Sequence, residues 1–216
     1  KTVAFPIAIP MLDKIKSLLG TGDPDKTQPG GVPVPVDPSQ DPAWSDVIVS
    51  ADTRRGQRIP AGQSRTLKWP VLDANGAPAI DMDRWRLVLT GLVNKEVELT
   101  WAEFQALPRV KVFADMHCVT RWSRLGNVWE GVSTQHLLDL TGGTKPEAKY
   151  VLIHGYDYGW TTNLPINEFK GDDCLVATHH DGEPLTAEHG GPARLQQSLF
   201  ACIEIEFYHF FNSVFP

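Results

Sequence analysis

The chain has 216 residues and a formal net charge of −6, and 42% of its residues are hydrophobic. This composition is typical of a globular protein with one substantial core, and the length predicts either one domain or one domain with an extension. Lys and Arg form no clustered run, which excludes a nucleic-acid-binding surface. The cysteines form no CxxC pair, so neither a disulfide framework nor a cysteine-rich zinc site is expected; they are Cys118, Cys174 and Cys202.

Residues 1–45 are predicted to form an extended arm that contains one short helix. Within residues 11–19 the apolar side chains recur on one helical face, which predicts an amphipathic helix. Residues 20–42 contain six prolines and four glycines, which favours irregular or extended backbone. The apolar residues 3–9 are too few to cross a bilayer, so no stable membrane span is expected.

The folded body is predicted to occupy residues 46–216. Residues 85–92 are apolar enough to predict a buried strand. Thr100 and Glu103 then match a capping box, which predicts the start of a short helix that must end before Pro108.

The next predicted strand, residues 110–116, leads directly to a cysteine. Its apolar residues alternate with other types, which predicts a strand with one buried face. Such a strand would place His117 and Cys118 at its C-terminal end.

A second short helix is expected from a cap at Ser133 through Leu140, because a pair of glycines follows it. Residues 150–154 and 174–178 are predicted strands. Strands and short helices follow one another without a regular βαβ alternation, and no nucleotide-binding glycine motif or internal repeat is present. The predicted fold class is therefore α+β, with a mixed β-sheet core and short helices.

Cys118 is the first candidate for chemistry. It is followed by Arg121 and Arg124 in a polar loop, and nearby positive charge stabilises a thiolate that acts as a nucleophile or a metal ligand. The alternative is a packing role beside an apolar strand, because free cysteines are among the most buried residue types. The residues alone leave both interpretations open.

The second candidate is the group His189, Gly190, Gly191 and Arg194. Glycines let a bound group approach the backbone closely, and an arginine offers two parallel donors to a phosphate or oxyanion. Taken singly, the same residues are more typical of a surface turn.

The third candidate is His154 with Thr161 and Thr162. A histidine at a strand end followed by hydroxyl side chains is suited to hydrogen-bonding a polar heterocycle. The alternative is a hairpin connection in which the threonines bond to their own backbone.

In this order and spacing, these segments resemble the oxidoreductase molybdopterin-binding domain shared by sulfite oxidase and the bacterial periplasmic methionine sulfoxide reductase. The resemblance covers residues 46–195 and implies the sulfite-oxidase-like fold. The segments that carry it are HCVTRWS (117–123), WEGV (129–132), TTNLP (161–165), DGEPL (181–185) and HGGPARL (189–195).

The resemblance implies roles for individual residues. Cys118 falls where the family's cysteine binds molybdenum beside the dithiolene sulfurs of the pterin. Arg194 falls where the terminal phosphate of the cofactor is expected, and Arg121 or Arg124 is expected to face the substrate. The remaining expected cofactor contacts are His117, His154, Thr161, Thr162, His189, Gly190 and Gly191.

The implied activity is oxygen-atom or electron transfer on a small oxyanion or sulfoxide-like substrate, with molybdopterin as cofactor. No CxxCH haem-attachment motif is present, so the expected electron partner is an external cytochrome or quinone-linked protein. Members of this family are often exported after folding, which leads us to expect a periplasmic location.

The sequence departs from the family pattern after Arg194. Residues 195–216 contain no Lys or Arg, although the family places a lysine-rich turn near the cofactor phosphate in this region. This aromatic tail could be a divergent core strand, a partner-binding edge or an altered sequence. The alternative function is therefore a non-catalytic interaction module with impaired cofactor capture. A zinc hydrolase is disfavoured because the seven histidines show no standard ligand spacing.

Overall fold

The computed structural model describes residues 45–71, 77, 79–118, 120–156 and 161–197, together with the backbone of 206–207 and 210–215. In this part of the chain, two β-sheets pack together with three short α-helices. The predicted helix at 11–19, most of the predicted arm and Cys202 lie outside the described residues. No described helix has the length and apolar character needed to cross a membrane.

The first sheet contains eight of the described strands. Six of them lie in the order β1-β5-β6-β9-β11-β12, while β2 pairs with β6 and β10 pairs with β9. Their bounds are β1 Val47–Val49, β2 Ser64–Arg65, β5 Val110–His117, β6 Trp122–Ser133, β9 Leu175–His180, β10 Glu183–Pro184, β11 Ala193–Gln196 and β12 Glu206–Phe207.

The second sheet has five described strands in the order β4-β3-β13-β7-β8. The backbone of β13 lies between β3, to which it is parallel, and β7, to which it is antiparallel. The end of the aromatic tail is thus a central strand, as one of the three alternatives predicted. The bounds are β3 Arg86–Gly91, β4 Val97–Thr100, β7 Tyr150–His154, β8 Thr161–Pro165 and β13 Phe210–Phe215.

The two faces of the first sheet have different partners. Side chains of one face pack against the second sheet in the larger core cluster, including Val132, Val176 and Leu195. The opposite face carries a smaller apolar cluster that includes Val112, Ala114, Met116, Trp129, Leu175 and Ala177. We call this second face the site face, because the candidate residues gather on it.

The prediction that β5 has one buried face was wrong, because both of its faces are covered. Phe113 and Asp115 are as buried as the residues of the site face. Arg58 covers them, since its guanidinium lies 5.9 Å from the Phe113 ring centroid and forms an ion pair with Asp115. The covering segment is more than fifty residues distant in sequence, so the alternation of β5 alone gave no sign of it.

The three α-helices are short, with bounds α1 Trp101–Gln105, α2 Thr134–Leu140 and α3 Ile166–Phe169. The predicted capping box of α1 is confirmed, because Thr100 accepts from the Glu103 amide and Glu103 accepts from the Thr100 amide. Ser133 precedes α2 as predicted, but its side chain makes no capping hydrogen bond, so that prediction was wrong. The Thr134 hydroxyl instead bonds to the Cys174 carbonyl at 3.0 Å.

Candidate functional site

Cys118 lies in the tight connection between β5 and β6. Its amide donates to the Trp122 carbonyl at 2.7 Å, and its carbonyl accepts from the Arg121 amide at 2.9 Å. Arg121 closes the connection with a φ of 70°, a left-handed conformation that is unusual for a non-glycine residue. The thiol lies 3.0 Å from the Thr120 hydroxyl, and the residue is 2% exposed. The backbone thus holds this sulfur in a defined place beside polar neighbours.

Three side chains form a hydrogen-bonded chain around this connection. Gln63 donates from Nε2 to the Cys118 carbonyl at 3.3 Å and accepts from the Ser123 hydroxyl at 2.5 Å. Ser123 Oγ also lies 2.9 Å from Nδ1 of His117. Burial lowers the pKa of His117, although the nearby Asp115 carboxylate opposes that shift. Through these contacts, His117 and Ser123, on either side of the connection, are linked to the segment that contains β2.

Asp115 and Asp52 lie on the face of β5 opposite the site face. Asp115 receives two bonds from Arg58, at 2.6 and 2.8 Å, and one from the Gly126 amide at 2.9 Å. Burial raises the pKa of Asp52 above its ordinary value. One ligand atom each of Asp52, Asp115 and His117 lies within 4.8 Å of the others, which gives a compact polar cluster behind the Cys118 connection.

Arg124 lies in β6, six residues after Cys118, and acidic and amide groups hold its side chain. Its guanidinium donates to Asp181 at 2.6 Å and to Asn127, and it lies 3.0 Å from Nε2 of His180. Burial lowers the pKa of His180 to about 3, so this imidazole is neutral at physiological pH. These partners already occupy much of the hydrogen-bonding capacity of the guanidinium. The predicted role of Arg124 toward a substrate stays a prediction.

The HGGPAR segment contacts Trp69, which lies in the segment that follows β2. The rings of Trp69 and His189 are stacked, with centroids 3.8 Å apart and planes at 9°. The Arg194 guanidinium lies 5.5 Å from the Trp69 ring and 5.6 Å from the Trp129 ring. Arg194 is only 3% exposed and donates to the His189 carbonyl at 3.1 Å. Burial also lowers the pKa of His189.

The contacts join the first two predicted groups along the site face. Arg124 touches His180, and His180 lies 4.4 Å from Trp69, measured between ring centroids. Trp69 in turn stacks on His189 beside Arg194. A continuous row of polar and aromatic side chains therefore runs from Arg124, which pairs with Met116 two residues before Cys118, to Arg194.

Gly190 and Gly191 are explained by backbone requirements. Gly190 has a φ of 80°, the left-handed region that favours glycine. A Cβ on Gly191 would lie 2.2 Å from the Leu185 carbonyl oxygen, so no larger residue fits there. These two glycines shape the loop that holds His189 and Arg194, and their own contact with a cofactor stays a prediction.

The third predicted group lies on the other sheet. His154 ends β7 opposite Thr161 at the start of β8, and Thr162 pairs with Ile153. The structure therefore does not bring these residues onto the site face with Cys118 and Arg194. Their part in cofactor binding stays a prediction.

Sequence reasoning did not identify several residues that line the row or surround the Cys118 connection. Gln63, Trp69 and Arg58 lie in a segment without periodicity, and nothing local marks them as site residues. His180 and Asp181 were accessible to inference, because they closely follow the predicted strand 174–178 and Asp181 opens the DGEPL segment.

The side chains of the site face fit a phosphate-bearing pterin whose metal takes a thiolate ligand. Cys118 supplies the soft sulfur donor, and Arg194 supplies a buried cation with fork geometry. Trp129 Nε1 is buried without a hydrogen-bond partner among the described residues, so it retains an N–H for a bound group. These observations agree with the cofactor that the sequence resemblance implies.

Comparisons with known proteins give the same family. The model of the oxidoreductase molybdopterin binding domain matches residues 74–200. The uncharacterized oxidoreductase YuiH of Bacillus subtilis is 44% identical over 138 residues, which cover 63% of this chain and 69% of YuiH. The putative protein-methionine-sulfoxide reductase subunit YedZ1 of Azospira oryzae is 31% identical over 117 residues, which cover 54% of this chain and 44% of YedZ1.

Among solved structures, the sulfane dehydrogenase SoxCD from Paracoccus pantotrophus shares the fold, with a TM-score of 0.57 and 24% sequence identity. That match covers 65% of this chain and 40% of the SoxCD chain. The chain thus spans less than half the length of SoxCD and of YedZ1. On the family match and the YuiH identity together, the chain belongs to the oxidoreductase molybdopterin-binding domain family and is a molybdopterin-dependent oxidoreductase.

Proposed function

We propose that this chain carries out oxygen-atom or electron transfer on a small oxyanion or sulfoxide-like substrate, with Cys118 as the thiolate ligand of the molybdenum. The observation that carries the proposal is the row of side chains that begins at Arg124, which pairs with Met116 two residues before Cys118, and ends at the buried Arg194. A pterin with a metal at one end and a phosphate at the other needs these two kinds of partner on one face.

In this proposal each part of the row has a separate task. Arg194 neutralises the phosphate, and the Trp69 and Trp129 rings beside it exclude water and so strengthen the interaction. Cys118 holds the metal, since a thiolate is a suitable ligand for it. When bound, the cofactor supplies the redox chemistry, and the protein supplies orientation and electrostatics.

Arg121 is the group that we assign to the substrate. It is exposed, lies within the Cys118 connection and is paired with no carboxylate among the described residues. The Arg121→Ala variant is expected to raise KM for sulfite, an anionic probe, several-fold more than for neutral dimethyl sulfoxide, because only the anion gains from the cation. The exposed Arg84→Ala serves as a control. Equal KM values in Arg121→Ala and the parent chain would remove Arg121 from the substrate site.

The proposal includes an external electron carrier, a cytochrome or a quinone-linked protein, and a periplasmic location. The relative YedZ1 is a putative reductase subunit, which supports a multi-component system for that relative.

The test is the molybdenum content of protein expressed in a host that makes the cofactor. The Cys118→Ser variant is expected to lose most of its molybdenum or its enzymatic activity, because serine is a harder and weaker donor. Cys174→Ala is the matched control: Cys174 is also fully buried, but burial raises the pKa of its thiol to about 12, so it acts as a packing residue. A metal-free parent chain would instead support the non-catalytic interaction module.

A further inference from the structure

We infer that Gln63 is a positioning residue, whose amide fixes the orientation of the Cys118 sulfur toward the metal. Gln63 precedes the region that the family model matches, residues 74–200. The inference rests on the proposed role of Cys118 as a metal ligand.

The first argument is the double use of the Cys118 carbonyl oxygen. It accepts from the Arg121 amide at 2.9 Å and from Gln63 Nε2 at 3.3 Å. A carbonyl oxygen has two lone pairs, so both are occupied. Rotation of the peptide group that follows Cys118 would break both bonds, and the direction of its Cα–Cβ bond is restrained with it.

The second argument is that the chain of bonds allows only one direction of donation. Gln63 donates with Nε2, so its Oε1 must accept from the Ser123 hydroxyl. The hydroxyl hydrogen is then used, and Ser123 Oγ accepts from Nδ1–H of His117. Ser123 is fully buried, so water does not compete for these bonds. Gln63 therefore links the residue before Cys118, Cys118 itself and the start of β6.

The third argument is that Gln63 is itself held in place. The next residue, Ser64, donates from its amide to the Arg121 carbonyl at 2.9 Å, and Thr66 donates to the Ser123 carbonyl at 2.8 Å. Strand β2 is thereby anchored to β6 on both sides of its pairing. An amide on such a support can orient a neighbouring ligand, as residues behind metal ligands commonly do.

The test uses the metal-loaded full chain and reads the electronic structure at the metal rather than activity alone. The variants are Gln63→Leu, which removes both bonds, and Gln63→Glu, which keeps the acceptor for Ser123 but loses the donor to Cys118. Ser123→Ala removes the middle link and leaves the bond from Gln63 to Cys118 possible. Gln135→Ala is the control. Gln135 bonds to Asp139 within α2, which follows the end of β6 opposite the connection.

We expect Gln63→Leu and Gln63→Glu to retain molybdenum but to shift both the thiolate-to-metal charge-transfer absorption band and the Mo(V) electron paramagnetic resonance spectrum. Ser123→Ala should shift them in the same direction. The double variant Gln63→Leu/Ser123→Ala should shift them no further than the larger single change, because the residues act as one unit. Should Gln63→Leu fail to fold, Gln63→Glu decides.

Spectra of the Gln63 variants that superimpose on those of the parent chain and Gln135→Ala would overturn the inference. Failure of the proposed function has a different signature. In that case the spectrum of the parent chain itself would not depend on Cys118, and Cys118→Ser would leave it unchanged.

Discussion

Among the described residues, two buried cysteines differ in what surrounds their sulfur atoms. Cys174 packs in the core between the two sheets, and burial raises the pKa of its thiol to about 12. Cys118 lies beside the Thr120 hydroxyl in a hairpin connection bound by Gln63. The sequence alone left both a packing role and a ligand role open for Cys118. The side chains that surround a buried sulfur come from residues that are distant along the chain.

His180 makes the stability of the protein sensitive to acid. Its pKa in the folded chain is about 3, against an ordinary value of 6.5, so the unfolded chain takes up the proton first as pH falls. The contribution of a neutral His180 is fully present above about pH 6.5 and is lost as pH falls toward about 3. Urea unfolding at a series of pH values should show this loss, and His180→Gln should reduce the slope. An unchanged slope in the variant would show that His180 does not titrate on unfolding.

At the scale of elements, local patterns predicted most of what local chemistry determines. The capping box of α1, the strand β5 and the strands β7 and β9 all lie where the sequence predicts them, within a few residues. The covering of the second face of β5 could not be predicted in this way. Asp115 has the sequence pattern of a solvent-facing residue, and only the folded chain brings Arg58 to it.

Two ion pairs connect β5 to the segment that precedes β2. They should contribute different amounts to the free energy of unfolding. Arg58→Met leaves the Asp115 carboxylate buried without its ion-pair partner, which should cost about 3–5 kcal/mol of the free energy of unfolding. Lys111→Met breaks the exposed pair with Asp46, 3.5 Å apart, and should cost about 0–1 kcal/mol. Urea unfolding of both variants measures the difference. Similar losses in the two variants would contradict the account of how β5 is covered.

At the scale of the whole molecule, the site is assembled from segments that are far apart in sequence. Trp69 and Gln63 come from the chain before the matched family region, Cys118 from the middle, and Arg194 from near the end. The motifs predicted Cys118 and Arg194 because each stands in a recognisable segment. Trp69 could not be predicted, since a single tryptophan in an aperiodic stretch carries no sign of its partner.

The structural role of the aromatic tail is also visible at this scale. Residues 210–215 supply the central strand of the second sheet, so the aromatic sequence has a structural use there. Residues 195–216 contain no Lys or Arg, so the proposal assigns the phosphate to Arg194, at the end of the row.

The central claim is that the Cys118 sulfur is bonded to the molybdenum of a bound pterin cofactor. X-ray absorption at the molybdenum edge measures the sulfur neighbours of the metal directly. We expect Cys118→Ser to show one sulfur neighbour fewer than the parent chain, and Cys174→Ala to match the parent. The same sulfur count in the parent chain and in metal-loaded Cys118→Ser would contradict the claim.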